Sequence, residues 1–253
     1  MVANTDETPD KDILLQHAHD HSGRRIAFFD LKDRRYWLKR PERLGWVRRL
    51  QKGNSRTAFR REIALLRAFE RRGAPVVPIL AEEPDLIVLP DMGPALNVHA
   101  MTQPLEAFVE VLEQAARALA ELHSKGMTHG RPRLKDICWN GRAICFLDLE
   151  AGARTTSTPM SRAVDLLIFT HSITYENARL NEYLPAILRA YHNVAGPEAL
   201  QHACTRVRKW RWFRPLFAFP AMIDRLRGKK KSEAIAALNV LDSFPGIAVA
   251  VTN

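Results

Sequence analysis

Asp136 and Asp148 are the side chains of this sequence with the clearest chemical potential. Asp148 closes the run Ile144-Cys145-Phe146-Leu147, which reads as a buried strand. A carboxylate there must find a cation, a donor or a metal to offset its desolvation. Asp136 stands just before the apolar stretch Ile137-Cys138-Trp139, where it either turns the chain or offers oxygen to a hard cation such as magnesium. Glu62 shares a helical stripe with Ala58, Leu65 and Phe69, so it points toward packed structure and requires a cationic partner. Arg61, another nearby arginine, and Lys39 at the end of Tyr36-Trp37-Leu38-Lys39 are the candidates. Phosphoryl transfer uses these residue types: a cation on the phosphates, a carboxylate that orients it, and acidic groups that hold magnesium.

The order of the motifs adds to this. His129-Gly130-Arg131-Pro132-Arg133-Leu134-Lys135-Asp136-Ile137-Cys138-Trp139 is followed by Phe146-Leu147-Asp148-Leu149-Glu150 and preceded by Leu119-Ala120-Glu121-Leu122-His123. This stretch resembles the catalytic and metal-binding loops of the protein-kinase-like superfamily. It is most similar to the bacterial lipopolysaccharide core kinases and related short atypical kinases. The resemblance spans most of residues 24–170, and it includes Asp165, which resembles the Asp that braces the catalytic loop in that superfamily.

The resemblance implies ATP and magnesium as cofactors, with nucleotide in a cleft near Pro90–Gly93 and Asp91 on its wall. Lys39 would hold phosphates, Glu62 would orient Lys39, and Asp136 and Asp148 would bind the metal, with Glu150 as a further or water-mediated ligand. Three departures stand against it. The family loop reads His-Arg-Asp with an Asn five residues after the Asp, whereas Arg131 occupies the Asp position here and Asp136 the Asn position. An arginine cannot accept a proton, so the proton acceptor would be Asp136 or His129, and Arg131 would bind the transferring phosphate or an acidic substrate. Only His21-Ser22-Gly23 sits where a glycine-rich phosphate loop belongs, and Glu150 replaces a glycine of the metal loop. The implied function is ATP-dependent phosphoryl transfer to a hydroxyl, with a lipopolysaccharide core sugar as one acceptor. The alternative is a pseudokinase that binds nucleotide, a partner or lipid without transfer.

The elements that must position these groups follow from periodicity. Residues 1–12 read as a loose polar tail. Arg25–Phe29 and Tyr36–Lys39 read as strands joined by a turn over 31–35. Thr57–Arg72 reads as a helix ended by Gly73 and Pro75, and Val76–Leu80 and Leu86–Leu89 read as strands. Pro104 starts a helix with Leu105, Phe108, Leu112, Ala115, Leu119 and Leu122 on one face. Asn140-Gly141 marks a hairpin, Asp165 opens an apolar helix, and further helices fall at 180–193, 197–209 and 231–242. The expected fold is α+β and protein-kinase-like in two lobes. Residues 1–92 form a small lobe with a sheet and one major helix, and residues 93–253 form a mostly helical lobe.

Composition sets the outer bounds. A chain of 253 residues with 46% hydrophobic residues has enough apolar material for a globular core. No uninterrupted apolar run reaches the ~18 residues of a membrane span, and the polar start carries no signal-peptide core, so the expected location is cytoplasmic or peripheral at the inner membrane. The 3 cysteines exclude a disulfide framework. A net charge of +10 calls for an anionic partner: nucleotide, an anionic sugar or lipid acceptor, or an acidic membrane face. Nucleic acid is the least favoured. Residues 206–231 interleave Arg and Lys with Trp210, Trp212, Phe213, Phe217 and Phe219. That pattern is either a core face under solvated charges or a surface for anionic membranes. His17, His19 and His21 alternate as on a polar strand edge, and a zinc site there would lack a fourth ligand.

Overall fold

The computed structural model describes residues 9–21, 24–42, 55–149, 152–229 and 231–252. Ser22, Gly23, Glu150 and Lys230, which figure in the readings above, lie outside these residues, as do residues 1–8 of the expected tail. The architecture is α+β: a small antiparallel sheet followed by a helical remainder.

The described residues open with a helix that overlaps the expected tail only at residues 11 and 12 and takes in the expected polar strand edge at His17–Asp20. Helix α1 (Lys11–Asp20) is capped by Asp10, whose side chain accepts from Asp12 N at 2.8 Å, and it buries Leu14 and Ala18, one turn apart. The histidines therefore do not share a strand face. His17 stacks on Phe29, His19 pairs with Glu83 at 3.1 Å, and His21 bonds the carbonyl of His17 at 2.9 Å.

Strands β1 (Ile26–Leu31) and β2 (Arg34–Lys39) form a hairpin tighter than the expected turn over 31–35. Lys32 and Asp33 take positive φ of 50° and 60°, the conformation of a two-residue turn that follows the strand twist. With β3 (Ala81–Glu83) and β4 (Leu86–Pro90) the sheet order is β1-β2-β4-β3. Strand alternation then divides the labour of β2. Tyr36 and Leu38 join Phe29, Leu86 and Val88 in a small core with α1. Lys39 takes the opposite direction and pairs in register with Ile87, which belongs to the main core.

Helix α2 (Ser55–Arg71) buries Phe59, Glu62, Leu66 and Phe69. The buried residues come from two neighbouring stripes of the helical pattern, Phe59 and Leu66 from one and Glu62 and Phe69 from the other, with Ala58 exposed and Leu65 half-buried. Gly73, at φ 63°, closes the helix: Gly73 N donates to Glu70 O at 2.8 Å and Ala74 N to Phe69 O at 3.0 Å. Residues 76–80 are extended but are not a strand of the sheet. They stitch it to a second, smaller one, with Val77 N donating to Phe146 O and Leu80 N to Val88 O.

The remainder is built on α3 (Leu96–Thr102) and α4 (Leu105–Ser124), whose Leu112, Ala115, Leu119 and Leu122 are fully buried. The hairpin β5 (Ile137–Trp139) and β6 (Ile144–Phe146) follows. Helix α5 (Pro159–Glu176) begins six residues ahead of Asp165, because Thr158 and Ser161 form a reciprocal capping box around Pro159. A 3-10 turn (Ala178–Tyr183), α6 (Leu184–Ala195) and α7 (Glu198–Trp210) come next. A 3-10 turn (Arg211–Phe213), α8 (Arg214–Leu226) and α9 (Glu233–Thr252) complete the chain. Helix α9 runs past the expected end at 242 and through Pro245. It is long and apolar enough for a membrane span by length and composition alone, although polar residues interrupt its apolar run. In this structure it packs against α5, α6, α7 and α8.

A candidate nucleotide and metal site

The 129–136 loop is held from behind by a buried polar network. Asp165, fully buried, accepts from His129 N at 2.7 Å through Oδ2 and from Gly130 N at 2.8 Å through Oδ1. His123 Nε2 lies 3.2 Å from the same Oδ2, and its Nδ1 lies 2.7 Å from the Tyr191 hydroxyl. Donation from the hydroxyl to Nδ1 and from Nε2–H to Asp165 satisfies every member. Burial pushes the Tyr191 hydroxyl well above its ordinary value, which keeps it a donor. His123, quoted in the motif above without a role, and Tyr191, not singled out in the sequence, complete this network. His123 lies on α4 and Tyr191 on α6, and the apolar pattern of two helices remote in sequence carries no signal that these side chains meet.

His129 stitches the loop forward. Its Nε2 donates to Leu147 O at 2.8 Å, and its Nδ1 accepts from Arg131 N at 3.3 Å. Burial holds its pKa below the ordinary histidine value. Both ring nitrogens are therefore engaged with backbone groups, leaving neither open to a substrate hydroxyl.

The hairpin explains why residues 136 and 148 meet. Asn140 Oδ1 accepts from Arg142 N and Ala143 N at 3.0 and 2.9 Å, which folds the chain back. Ile137 pairs with Phe146, and Leu147 N donates to Asp136 O at 2.8 Å. Asp136 and Asp148 thus leave the open end of the hairpin together. Asp148 sits at φ 58°, left-handed backbone that non-glycine residues seldom adopt and that concentrates at functional sites. Asp136 is buried, with Oδ1 3.9 Å from Lys135 Nζ, and its Oδ2 has no hydrogen-bond partner among the described residues. Burial raises its pKa above the ordinary carboxylate value, the nearby Asp148 acts in the same direction, and Lys135, Arg131 and Arg133 oppose.

Lys39 connects this pair to the sheet and to α2. Its Nζ is 2.5 Å from Glu62 Oε1, with Glu62 only 3% exposed, and 3.8 Å from Asp148 Oδ1. Arg131, more open to solvent, reaches Asp148 Oδ2 at 3.4 Å. Lys39, Glu62, Asp91, Asp136 and Asp148 all line one cleft of about 450 Å³. Trp37, Val77, Leu89, Met92, Cys138 and Leu147 supply its apolar wall. Asp91 Oδ1 accepts from Gly93 N at 3.1 Å, which fixes the connector. Gly93 has φ 79°, and a Cβ there would lie 2.5 Å from Trp139 O, so a glycine is required for this close approach. Burial pushes the Cys138 thiol up to about 12, which leaves it inert as a nucleophile.

Among the described residues, no group of three or more His, Cys, Asp or Glu side chains comes together. The donor set at the cleft is two carboxylates, one with an orphaned buried oxygen. That fits magnesium, which takes one or two protein carboxylates and fills its shell with phosphate and water.

No family model matches the chain. The chain is 24% identical over 214 residues to an uncharacterized protein of Haemophilus influenzae, covering 84% of this chain and 87% of that protein.

Proposed function

We propose that this protein is an ATP-dependent phosphotransferase of atypical, protein-kinase-like type that acts on a hydroxyl acceptor. On this reading the sheet and α2 form the small lobe, and the chain beyond Gly93 forms the large one. The observation that carries it is the convergence of Lys39, Glu62, Asp136 and Asp148 on a single half-apolar cleft. The apolar wall suits a base, and Lys39, oriented by Glu62, suits the phosphates. Asp136 and Asp148 would hold magnesium, which supplies charge neutralisation on the phosphates when bound. The acceptor oxygen attacks the terminal phosphorus, the bond to the bridging oxygen of the leaving diphosphate breaks, and the hydroxyl proton passes to a carboxylate. With His129 engaged on both nitrogens, Asp136 is the remaining acceptor of the two, through the carboxylate oxygen that does not hold the metal. A sugar of the lipopolysaccharide core remains the acceptor suggested by the resemblance.

A second reading, a pseudokinase, draws on Arg131. Its guanidinium lies 3.4 Å from Asp148, where it competes with a cation for that carboxylate. Arg131→Ala separates the two readings. In an enzyme, Arg131 steadies charge in the transition state, so turnover falls strongly, by roughly a hundredfold, while ATP affinity hardly changes. In a pseudokinase there is no turnover to lose, and the freed Asp148 binds magnesium more tightly. Phosphate release and nucleotide affinity measured on that variant decide between them. A variant unchanged in both would contradict the placement of Arg131 in the site.

A further inference from the structure

The segment from Arg206 to Lys229 does not bury its aromatics in the core. Helix α8 is amphipathic with its apolar face outward. Leu216, Phe219, Met222 and Leu226 follow one another at helical spacing and are 68%, 65%, 50% and 81% exposed. Trp212, in the turn just before, is 88% exposed. The inner side of α8 is held by other means. Ala221 is its one fully buried residue, Arg214 makes a two-pronged ion pair with Asp242 at 2.9 and 3.0 Å, and Asp224 accepts from the Ser232 hydroxyl at 2.6 Å. The helix is therefore fixed in place with its apolar stripe facing away from the protein.

Basic side chains frame that stripe at both ends. Arg208, Lys209 and Arg211 stand at one end and Arg227 at the other, all exposed and without an ion pair among the described residues. Under the helix, Trp210, Phe213, Phe217, Ile168 and Leu241 line an apolar groove of about 420 Å³. We propose that α8 and the turn before it form a docking surface for an anionic lipid bilayer. The apolar stripe would enter the headgroup–acyl boundary and the flanking cations would meet lipid phosphates. The charge pattern selects this occupant. A second copy of the chain would bring like charges together around a two-fold axis, and a nucleic acid would leave four large apolar side chains against phosphate and water. Trp and basic residues rimming an outward apolar helix face are what interfacial helices present. The surface stands on its own geometry and is independent of whether the cleft transfers phosphate.

The test uses the full chain with vesicles of phosphatidylcholine, with and without phosphatidylglycerol, at low and high salt. The expected result is co-sedimentation with the phosphatidylglycerol vesicles alone at low salt, weakened roughly tenfold at high salt. Phe219→Asp with Leu226→Asp is expected to abolish binding, and Arg208→Glu, Lys209→Glu and Arg211→Glu together to weaken it at least tenfold. All these sites are exposed, so melting temperatures should stay at the wild-type value. Arg60→Glu with Arg189→Glu, exposed charges on α2 and α6, should leave binding intact. The proposal is overturned by absence of sedimentation at low salt or by binding that survives Phe219→Asp with Leu226→Asp. It is equally overturned by a vesicle-indifferent dimer that those two changes dissociate, or by an oligonucleotide that binds where vesicles do not.

Discussion

At the scale of single residues, the cleft holds charges that the protein does not fully offset by itself. Asp136 is the clearest case. Its folded pKa lies above the ordinary value of 3.8, chiefly because it is buried. Between 3.8 and that raised value the folded state holds more protons than the unfolded state, so stability falls as pH rises through the window and the penalty is complete at neutral pH. Asp136→Asn should therefore stabilise the nucleotide-free protein at neutral pH by about 1 kcal/mol, while weakening magnesium-dependent binding. Denaturant titrations and metal titrations of that variant check both halves. Magnesium binding in the wild type should also fade on acidification at a pH above the ordinary carboxylate range, because protonated Asp136 is a poor ligand. The Lys39–Glu62 pair behaves differently. Each neutralises the other in a nearly dry setting, so Glu62→Leu should cost about 3 kcal/mol by leaving the ammonium under-compensated. Lys39→Met with Glu62→Leu should cost less than the sum of the singles, which a double-mutant cycle in urea measures. Much of this set was legible in the sequence, since Lys39, Glu62, Asp136 and Asp148 were identified there and line one cleft. The occupation of His129 was not, because it depends on where the carbonyl of Leu147 and the amide of Arg131 fall.

At the scale of elements, the site rests on a loop clamped between α4, α5 and α6. Asp165 is the clamp. Asp165→Ala would strand the amides of His129 and Gly130, both of which now donate to it. The expected loss is about 3 kcal/mol, read from the urea midpoint, with Tyr191→Phe costing about 1 kcal/mol. Strong 3.6-residue periodicity made α2 and α4 legible, and the Asn140-Gly141 pair made the β5–β6 hairpin legible. Three elements escaped for different reasons. Helix α1 carries few apolar residues and its polar histidines imitate strand alternation. Residues 76–80 have strand composition but serve two sheets by single bonds. Helix α9 continues through Pro245 and Gly246, residues that normally end a helix, because packing against four neighbouring helices outweighs the missing amide.

At the scale of the whole molecule, the two ends of the chain do different work. The sheet, α2 and the connector at Asp91–Gly93 shape the cleft, and the helices beyond α5 add a basic surface with outward apolar groups. The α+β order was readable from the succession of patterns. The orientation of α8 was not, since an apolar stripe in sequence is the same whether core or solvent covers it. Binding of nucleotide and magnesium in the cleft is measured by thermal unfolding with millimolar ATP, with and without magnesium. A ligand that binds only the folded state at a hundred times its Kd adds about 2.7 kcal/mol. The expected result is a saturable rise in melting temperature that needs magnesium and largely disappears in Asp148→Asn. No rise at millimolar ATP and magnesium, or a rise that Asp148→Asn leaves intact, would contradict it.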